Sequence, residues 1–320
     1  MENQQTPATQ MGASVSPIAD LTYRNYDGPL LTRAARWWVI SLAVLRPLTK
    51  NKGYWTIGAL CVLIYLVGAM EMFFTGRMKS MINLPAQVDV HHKFALTFLG
   101  YFGLTGLLLY VTALIVGAGS IAADNKANAM MIYLSKPLTK GDYLLGKWVG
   151  VFLSIFLIAA VPPLLLWVFC AMSYAGEGFF TNEPLLIFRI LLLAAAVSAF
   201  HTSLIIGISA WCKAPRIAGI VYSGCYFIVV LGTLMAQISR QGWASPPPEL
   251  IVQYLSIQGC VDGLAKIFYD LPTADFAMGQ QAEVLQMPSA LAILLIAGCY
   301  IGAGLTAARM KIRAVEVVKG

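Results

Sequence analysis

The sequence is short of charge. Only 12% of its 320 residues are charged, whereas 58% are hydrophobic and the mean hydropathy is +0.72. Soluble domains carry about a quarter charged residues, so this chain has too little polar surface to cover a globule in water. The composition excludes an ordinary soluble domain and predicts an integral membrane protein.

Residues with metal or disulfide chemistry are also scarce. The chain has three histidines, and its six cysteines form no C-x-x-C pair. Most of the cysteines fall in apolar runs, where a thiol behaves as a small hydrophobe. His91 and His92 are adjacent and could hold a metal weakly, but a solvated loop edge is the simpler interpretation. We predict no metal site and no structural disulfide.

Catalytic motifs are lacking too, since neither H-E-x-x-H nor G-x-S-x-G occurs. Residues 141–148, GDYLLGKW, match a phosphate-binding loop except at Trp148, which lacks the hydroxyl that binds magnesium. No strand precedes this stretch, whereas such a loop needs a strand–turn–helix frame. We therefore expect no catalytic residues and no cofactor in this chain.

Long apolar runs are what the sequence has instead. Six runs reach the roughly 20 residues that a helix needs to cross about 30 Å of hydrocarbon. They predict an all-α polytopic membrane protein with six transmembrane helices. The predicted spans are about 54–73, 94–123, 148–176, 187–210, 217–239 and 288–308.

Two segments precede the spans. Residues 1–30 are polar and aperiodic, which predicts a disordered tail, and they lack the basic start and apolar core of a signal peptide. Residues 32–52 place Trp37 and Trp38 in a short apolar stretch between basic residues. That stretch is too short to span, so it predicts an interfacial amphipathic helix.

The basic residues indicate the orientation. Of the 22 Lys and Arg, 16 lie in the N-terminal region, in 124–147, in 211–216 and in the C-terminal tail. Cytoplasmic segments carry the basic excess in membrane proteins, so both termini are predicted to be cytoplasmic. The segment 240–287 is then external, and its apolar spacing predicts short interfacial helices. Since the charge reports orientation, nucleic acid is not an expected partner.

The cytoplasmic connection 124–147 carries the most specific pattern. A small-residue patch at Gly119 and Ser120 is followed by Asp124, and then by S-K-P-L-T-K-x-x-Y-x-x-G-K at 135–147. With this pattern the chain resembles the ABC-2 type family of transporter permeases, over about thirty residues. The six spans and the preceding interfacial helix fit the same family.

The resemblance implies a bacterial inner-membrane subunit that forms a homo- or heterodimer with a second permease chain. A separate cytoplasmic ABC ATPase subunit would hold ATP and magnesium. Segment 124–147 resembles the coupling helix that contacts the ATPase; a plain amphipathic helix on the bilayer is the alternative. The residues assigned to coupling are Asp124, Ala127, Met130, Met131, Leu134, Lys136, Pro137 and Lys140.

The coupling assignment has a physical rationale. Ala127, Met130, Met131 and Leu134 recur at i, i+3, i+4 and i+7, which predicts one apolar stripe on a helix. Methionine adapts readily to a protein partner. Pro137 then favours a helix end before the third span.

Other residues are candidates for packing or transport. Gly146 and Gly150 form a G-x-x-x-G pattern that lets helices approach closely, and Pro162 and Pro163 are expected to kink the third span. His201 is ionisable within the fourth span and is a candidate pathway residue. A neutral histidine bonded to a neighbouring helix is the commoner arrangement.

Two functions remain open at this point. The first is the permease subunit of an ABC-2 type exporter that moves an amphiphilic substrate. The second is a non-transporting scaffold or signal-transmitting subunit that uses the same ATPase to act on an external protein partner through 240–287. An intramembrane enzyme is disfavoured because the spans lack paired catalytic residues.

Overall fold

The computed structural model describes residues 36–82, 93–129, 139–240, 256–269 and 290–312, and within these ranges the chain is helical without strands. The predicted tail, 1–30, lies outside them. A 3-10 turn at Ala175–Glu177 precedes α6. The helices are α1 (Arg36–Leu48), α2 (Lys52–Ile82), α3 (Lys93–Gly117), α4 (Ala122–Lys126), α5 (Lys140–Ser173), α6 (Phe179–Asn182), α7 (Leu186–Trp211), α8 (Pro215–Arg240), α9 (Ile257–Tyr269) and α10 (Ala290–Lys311).

Five helical segments of the described chain are long and apolar enough to cross a membrane, so this is a multi-pass membrane protein. They are Lys52–Phe74, Phe94–Lys126, Lys140–Ser173, Leu186–Trp211 and Ala290–Lys311, and each coincides with a predicted span. The sixth predicted span, 217–239, coincides with α8. Its crossing, the orientation of the termini and the interfacial position of α1 stay predictions.

The third span begins earlier than the predicted residue 148. α5 starts at Lys140 because Thr139 and Asp142 form a capping box, in which each side chain accepts the other's backbone N–H at 3.1 Å. The helix ends at Ser173 rather than 176. The last part of the predicted loop 124–147 is therefore about two turns of helix.

α5 continues through Pro162 and Pro163, both of which are buried. Proline has no N–H, so the carbonyls of Ile158 and Ala159 lose their usual helical donors. The flanking turns hold the helix together, and neither proline ends it.

α7 lies at the centre of the described bundle and packs against α3, α5, α8, α9 and α10. Its closest crossing is with α10, where Gly207 meets Gly304. A Cβ on Gly304 would lie 2.2 Å from the carbonyl oxygen of Ser203, and one on Gly207 would lie 2.8 Å from the carbonyl oxygen of Gly304. Only small residues allow backbones this close.

α1 is seated on the beginning of α5, where the structure places the G-x-x-x-G pattern. A Cβ on Gly146 would lie 2.6 Å from the Trp37 carbonyl oxygen, and one on Gly150 would lie 3.1 Å from the Ser41 carbonyl oxygen. The Ser41 hydroxyl also donates to the Gly146 carbonyl at 2.9 Å. Both glycines thus form the surface on which α1 rests.

The predicted external segment 240–287 contains α9, which packs against α3, α7, α8 and α10. Its buried residues include Cys260 and Ala265. Gln258, near its start, accepts a hydrogen bond from the Tyr226 hydroxyl of α8 at 2.9 Å. A short helix is thus present where one was predicted, and its apolar face is covered by protein. Its position at the membrane interface stays a prediction.

The α7–α10 crossing gives a first prediction. In Gly304→Val the new side chain meets backbone that cannot rotate away, so we expect destabilisation of about 1–3 kcal/mol. Gly302→Val is the matched control, since a Cβ there meets nothing within 4 Å. Unfolding of the purified protein in detergent measures the difference. Equal stability of the two variants would contradict the close crossing.

Candidate functional site

Several helix ends meet at one end of the described bundle. The Trp211 indole of α7 donates to the Ala307 carbonyl of α10 at 3.0 Å, and the Asn125 amide of α4 reaches the end of α7. We call this the basic end, because exposed cationic side chains surround it. They are Lys126, Lys140, Lys213, Arg216, Arg309 and Lys311.

One hydroxyl holds the bend between α3 and α4. Ser209 Oγ accepts the backbone N–H groups of Ile121 at 3.2 Å and Ala122 at 2.9 Å, and it donates to the Ala118 carbonyl at 2.9 Å. A bend leaves backbone groups without helical partners, and buried groups of this kind need other ones. The bend is thereby fixed to α7.

Asn125 makes a second connection between the same elements. Its side-chain amide donates to the carbonyls of Ala210 at 3.0 Å and Cys212 at 3.1 Å. Both carbonyls lie at the C-terminal end of α7, where no backbone N–H of the helix is available to donate to them. α4 and α7 are therefore joined by side chains from both partners.

Asp124 connects α4 to α5. Its Oδ2 lies 2.8 Å from Lys147 Nζ and accepts the Tyr143 hydroxyl at 2.6 Å. The side chains of Lys147 and Asp124 are only 11% and 16% exposed, and the ammonium group also lies 5.7 Å from the centre of the Tyr143 ring. A charge-assisted pair with this little solvent is stronger than a surface pair.

Together these contacts make a loop base, which we define as Asp124, Asn125, Tyr143, Lys147 and Ser209. It joins α4 to α5 and α7 at the point where the chain enters and leaves the predicted coupling loop. A displacement of the loop would therefore act directly on the ends of two long helices.

The structure places the predicted coupling residues unequally. Asp124 belongs to the loop base, whereas Ala127 and Lys140 are exposed beside it. The other predicted coupling residues lie outside the described residues. They are Met130, Met131, Leu134, Lys136 and Pro137.

The predicted apolar stripe does not begin on one helix. α4 ends at Lys126, and Asn128 has φ 51°, in the left-handed region that ends helices. Ala127 therefore lies in a turn, and its assignment to a single stripe with Met130 was wrong. Asparagine tolerates this conformation better than most residues. Asn128 was therefore a sequence signal for a helix end, which the apolar spacing did not take into account.

The stretch that resembles a phosphate-binding loop has a different role. Residues 141–148 are helical, Gly146 is covered by α1, and the Lys147 ammonium pairs with Asp124. The backbone amides are thus inside a helix and form no cradle. Among the residues that the structure describes, no group of three His, Cys, Asp or Glu could hold a metal.

His201, the predicted pathway residue, is 2% exposed. Its Nδ1 lies 2.7 Å from the Tyr222 hydroxyl of α8. The Tyr222 ring stacks on Tyr110, which stacks on Tyr226 with ring centres 5.4 and 4.1 Å apart. The histidine therefore belongs to a buried contact between α7 and α8, which is the commoner arrangement anticipated for it.

This tyrosine cluster continues into α9. The Tyr226 hydroxyl donates to Gln258, whose amide donates to Asp262 at 2.9 Å. Sequence reasoning missed the cluster, together with Asn125 and Ser209. The spacing of Tyr222 and Tyr226, four residues apart on one helix, was the available signal.

Comparison with models of known families gives a match over most of the chain. Residues 13–303 match the profile of a family described as ABC-2 family transporter protein. The match extends over most of the chain and reaches well beyond the motif at 119–150. A search of curated proteins finds no significant match.

The buried pair of the loop base can be tested. Lys147→Met leaves Asp124 without its cation, so we expect a loss of roughly 3 kcal/mol in the free energy of unfolding. Lys140→Met, an exposed change on the same helix, should cost less than about 0.5 kcal/mol.

A double variant completes the test. Adding Asp124→Ala to Lys147→Met removes the uncompensated carboxylate and should recover part of the loss. Unfolding in detergent is again the measurement. Strictly additive effects of the two changes would mean that the pair is not coupled.

Proposed function

The chain belongs to the ABC-2 family of transporter proteins, and from that premise we propose that it is the membrane permease subunit of an ATP-driven exporter. It couples through 124–147 to a separate cytoplasmic ATPase, which holds ATP and magnesium. The observation that carries the coupling role is the loop base, since it fixes both ends of this segment to the long helices α5 and α7.

The coupling step follows from that geometry. The ATPase contacts the exposed residues Ala127 and Lys140. In the proposal it also contacts Met130, Met131, Leu134, Lys136 and Pro137. Closure of the ATPase pair pushes on the loop. Because Asp124 is paired with Lys147 and Ser209 holds the bend, the push reaches α5 and α7 without being absorbed by a hinge.

The orientation follows from charge. Exposed cations cluster at the basic end, and cytoplasmic segments carry such clusters. α10 ends at this end, since the Trp211 indole bonds to Ala307. α2 begins beside the N-terminal half of α5, since the Tyr54 hydroxyl bonds to Ser154. Both termini are therefore cytoplasmic, and the family resemblance implies that the membrane is a bacterial inner membrane.

The spans support a dimer that handles an amphiphilic substrate. α2 and α10 are poorly covered within one chain, with 28% and 17% of their apolar windows buried. These faces meet lipid or a second permease chain. The described spans carry few charges, which suits an amphiphilic substrate better than a small ion.

The coupling proposal can be tested at the methionines. The double variant Met130→Asp/Met131→Asp places carboxylates in an apolar contact, so we expect it to lose the ATPase while still inserting into the membrane. The full-length chain is affinity-purified from native membranes, and ATP hydrolysis is measured in the eluate. Mass spectrometry then identifies a subunit with a true phosphate-binding loop.

Met172→Asp is the matched control, because this methionine is 80% exposed near the opposite end of α5, away from the loop. It should retain the ATPase. If the double variant co-purifies the ATPase at the normal level and the eluate hydrolyses ATP normally, the coupling proposal is wrong.

The orientation has its own test at the two ends of α7. Thr181→Cys and Lys213→Cys place exposed thiols beyond opposite ends of this helix in a background without native cysteines. A membrane-impermeant maleimide should label residue 181 in intact cells and residue 213 only after lysis. The reverse pattern would invert the topology.

A further inference from the structure

We propose that a cavity between α1, α2 and α5 binds an anionic phospholipid, with an acyl chain inside and the phosphate at Arg46, Lys50 and Lys52. The cavity measures about 730 Å³. Its walls are almost entirely apolar and include Leu48 of α1, Ala59 and Leu63 of α2, and Leu157 and Pro162 of α5.

The dimensions suit an acyl chain. The volume lies within the range of small-molecule sites. The lining residues on α2 run from Tyr54 to Leu66, which corresponds to about 18 Å of helix. One leaflet contributes half of the roughly 30 Å hydrocarbon core, so the cavity is about as long as one leaflet is deep.

The cavity is open on the side that faces hydrocarbon. Leu63 and Leu66 of α2 and Leu157 of α5 are each about half exposed. A chain from the bilayer can therefore enter sideways without crossing a polar barrier. Water gains no hydrogen bonds from such walls, and an apolar cavity of this kind favours hydrocarbon.

Cations stand at one end of the cavity. Arg46, Lys50 and Lys52 are exposed and adjoin the lining residues Leu48, Thr49 and Tyr54 in sequence. Residues 28–70 contain no Asp or Glu, and in the described part of the chain none of the three cations forms an ion pair. Basic residues beside an apolar cavity at a membrane surface attract acidic headgroups.

Trp55 marks the depth of this end. Its indole is 58% exposed and donates to the Thr49 carbonyl at 3.1 Å. Tryptophan prefers the boundary between headgroups and hydrocarbon. The cations next to it are thus at phosphate level, and the cavity extends from there into the hydrocarbon.

Charge favours a lipid over a second copy of this chain. A two-fold contact through this cavity would bring the same cations of two copies together, and like charges in an interface are costly. A phosphate neutralises them instead. The bound lipid would also fill the space beside α1. This helix already rests on Gly146 and Gly150 of α5.

This inference rests on the proposed function in one respect. The cavity opens to the cytoplasmic leaflet only if the basic end faces the cytoplasm, as the proposed function requires. Lipid binding is measured without the ATPase. Failure of either proposal therefore leaves the other test unaffected.

Native mass spectrometry tests the headgroup. The full-length chain is delipidated in detergent and offered phosphatidylglycerol or phosphatidylcholine. Wild type should retain the anionic lipid preferentially, and Lys50→Gln/Lys52→Gln should weaken that retention by about fivefold for each lysine removed. Lys213→Gln/Lys311→Gln, at the same end away from the cavity, is the matched control and should change nothing.

A cavity-filling pair tests the acyl chain. Ala59→Trp puts an indole into the cavity, whereas Leu60→Trp changes its exposed neighbour on α2, which does not line it. We expect only Ala59→Trp to reduce retention of the lipid. Equal retention of both lipids by wild type, or equal behaviour of the two tryptophan variants, would overturn the proposal. A disulfide between two copies through Ala59→Cys, formed in dilute vesicles, would do so by assigning the cavity to a second chain.

Discussion

Backbone hydrogen bonding in hydrocarbon is the constraint from which the rest of this structure follows. Without water, each buried N–H and C=O group needs a protein partner, and long helices supply nearly all of them. One exception in the described part of the chain is a bend between two helices. At the α3–α4 bend, Ser209 accepts two amides and donates to one carbonyl. A single side chain thus makes a bend tolerable at the edge of the bundle.

The same scarcity of polar partners gives the loop base its importance. Polar side chains in an apolar bundle bind to one another because they have no competing solvent. Asp124 with Lys147, and His201 with Tyr222, each join two helices. The first pair lies beside the segment that we propose contacts the separate cytoplasmic ATPase, whereas the second joins helices in the interior of the bundle. Position within the fold, more than residue type, separates their roles.

The apolar runs predicted the spans, but polar residues beside the runs decide where the helices begin and end. Apolar length alone placed five spans that the structure also has. It missed that Thr139 and Asp142 begin α5 before the apolar run, because a cap is a polar signal. The apolar spacing also predicted one helical stripe that includes Ala127. Asn128, the next residue, has a left-handed backbone, and Ala127 lies in a turn.

By itself, the sequence determined that this protein is a multi-pass helical membrane protein of the ABC-2 kind, because the hydrophobic effect and span length depend on composition and run length alone. Only the tertiary structure decided which side chains meet. Lys147 looks like part of a nucleotide motif in sequence, and becomes the partner of Asp124 only when α4 is brought beside α5. The cavity likewise forms only in the fold, where residues of α1, α2 and α5 that are distant in sequence line one space.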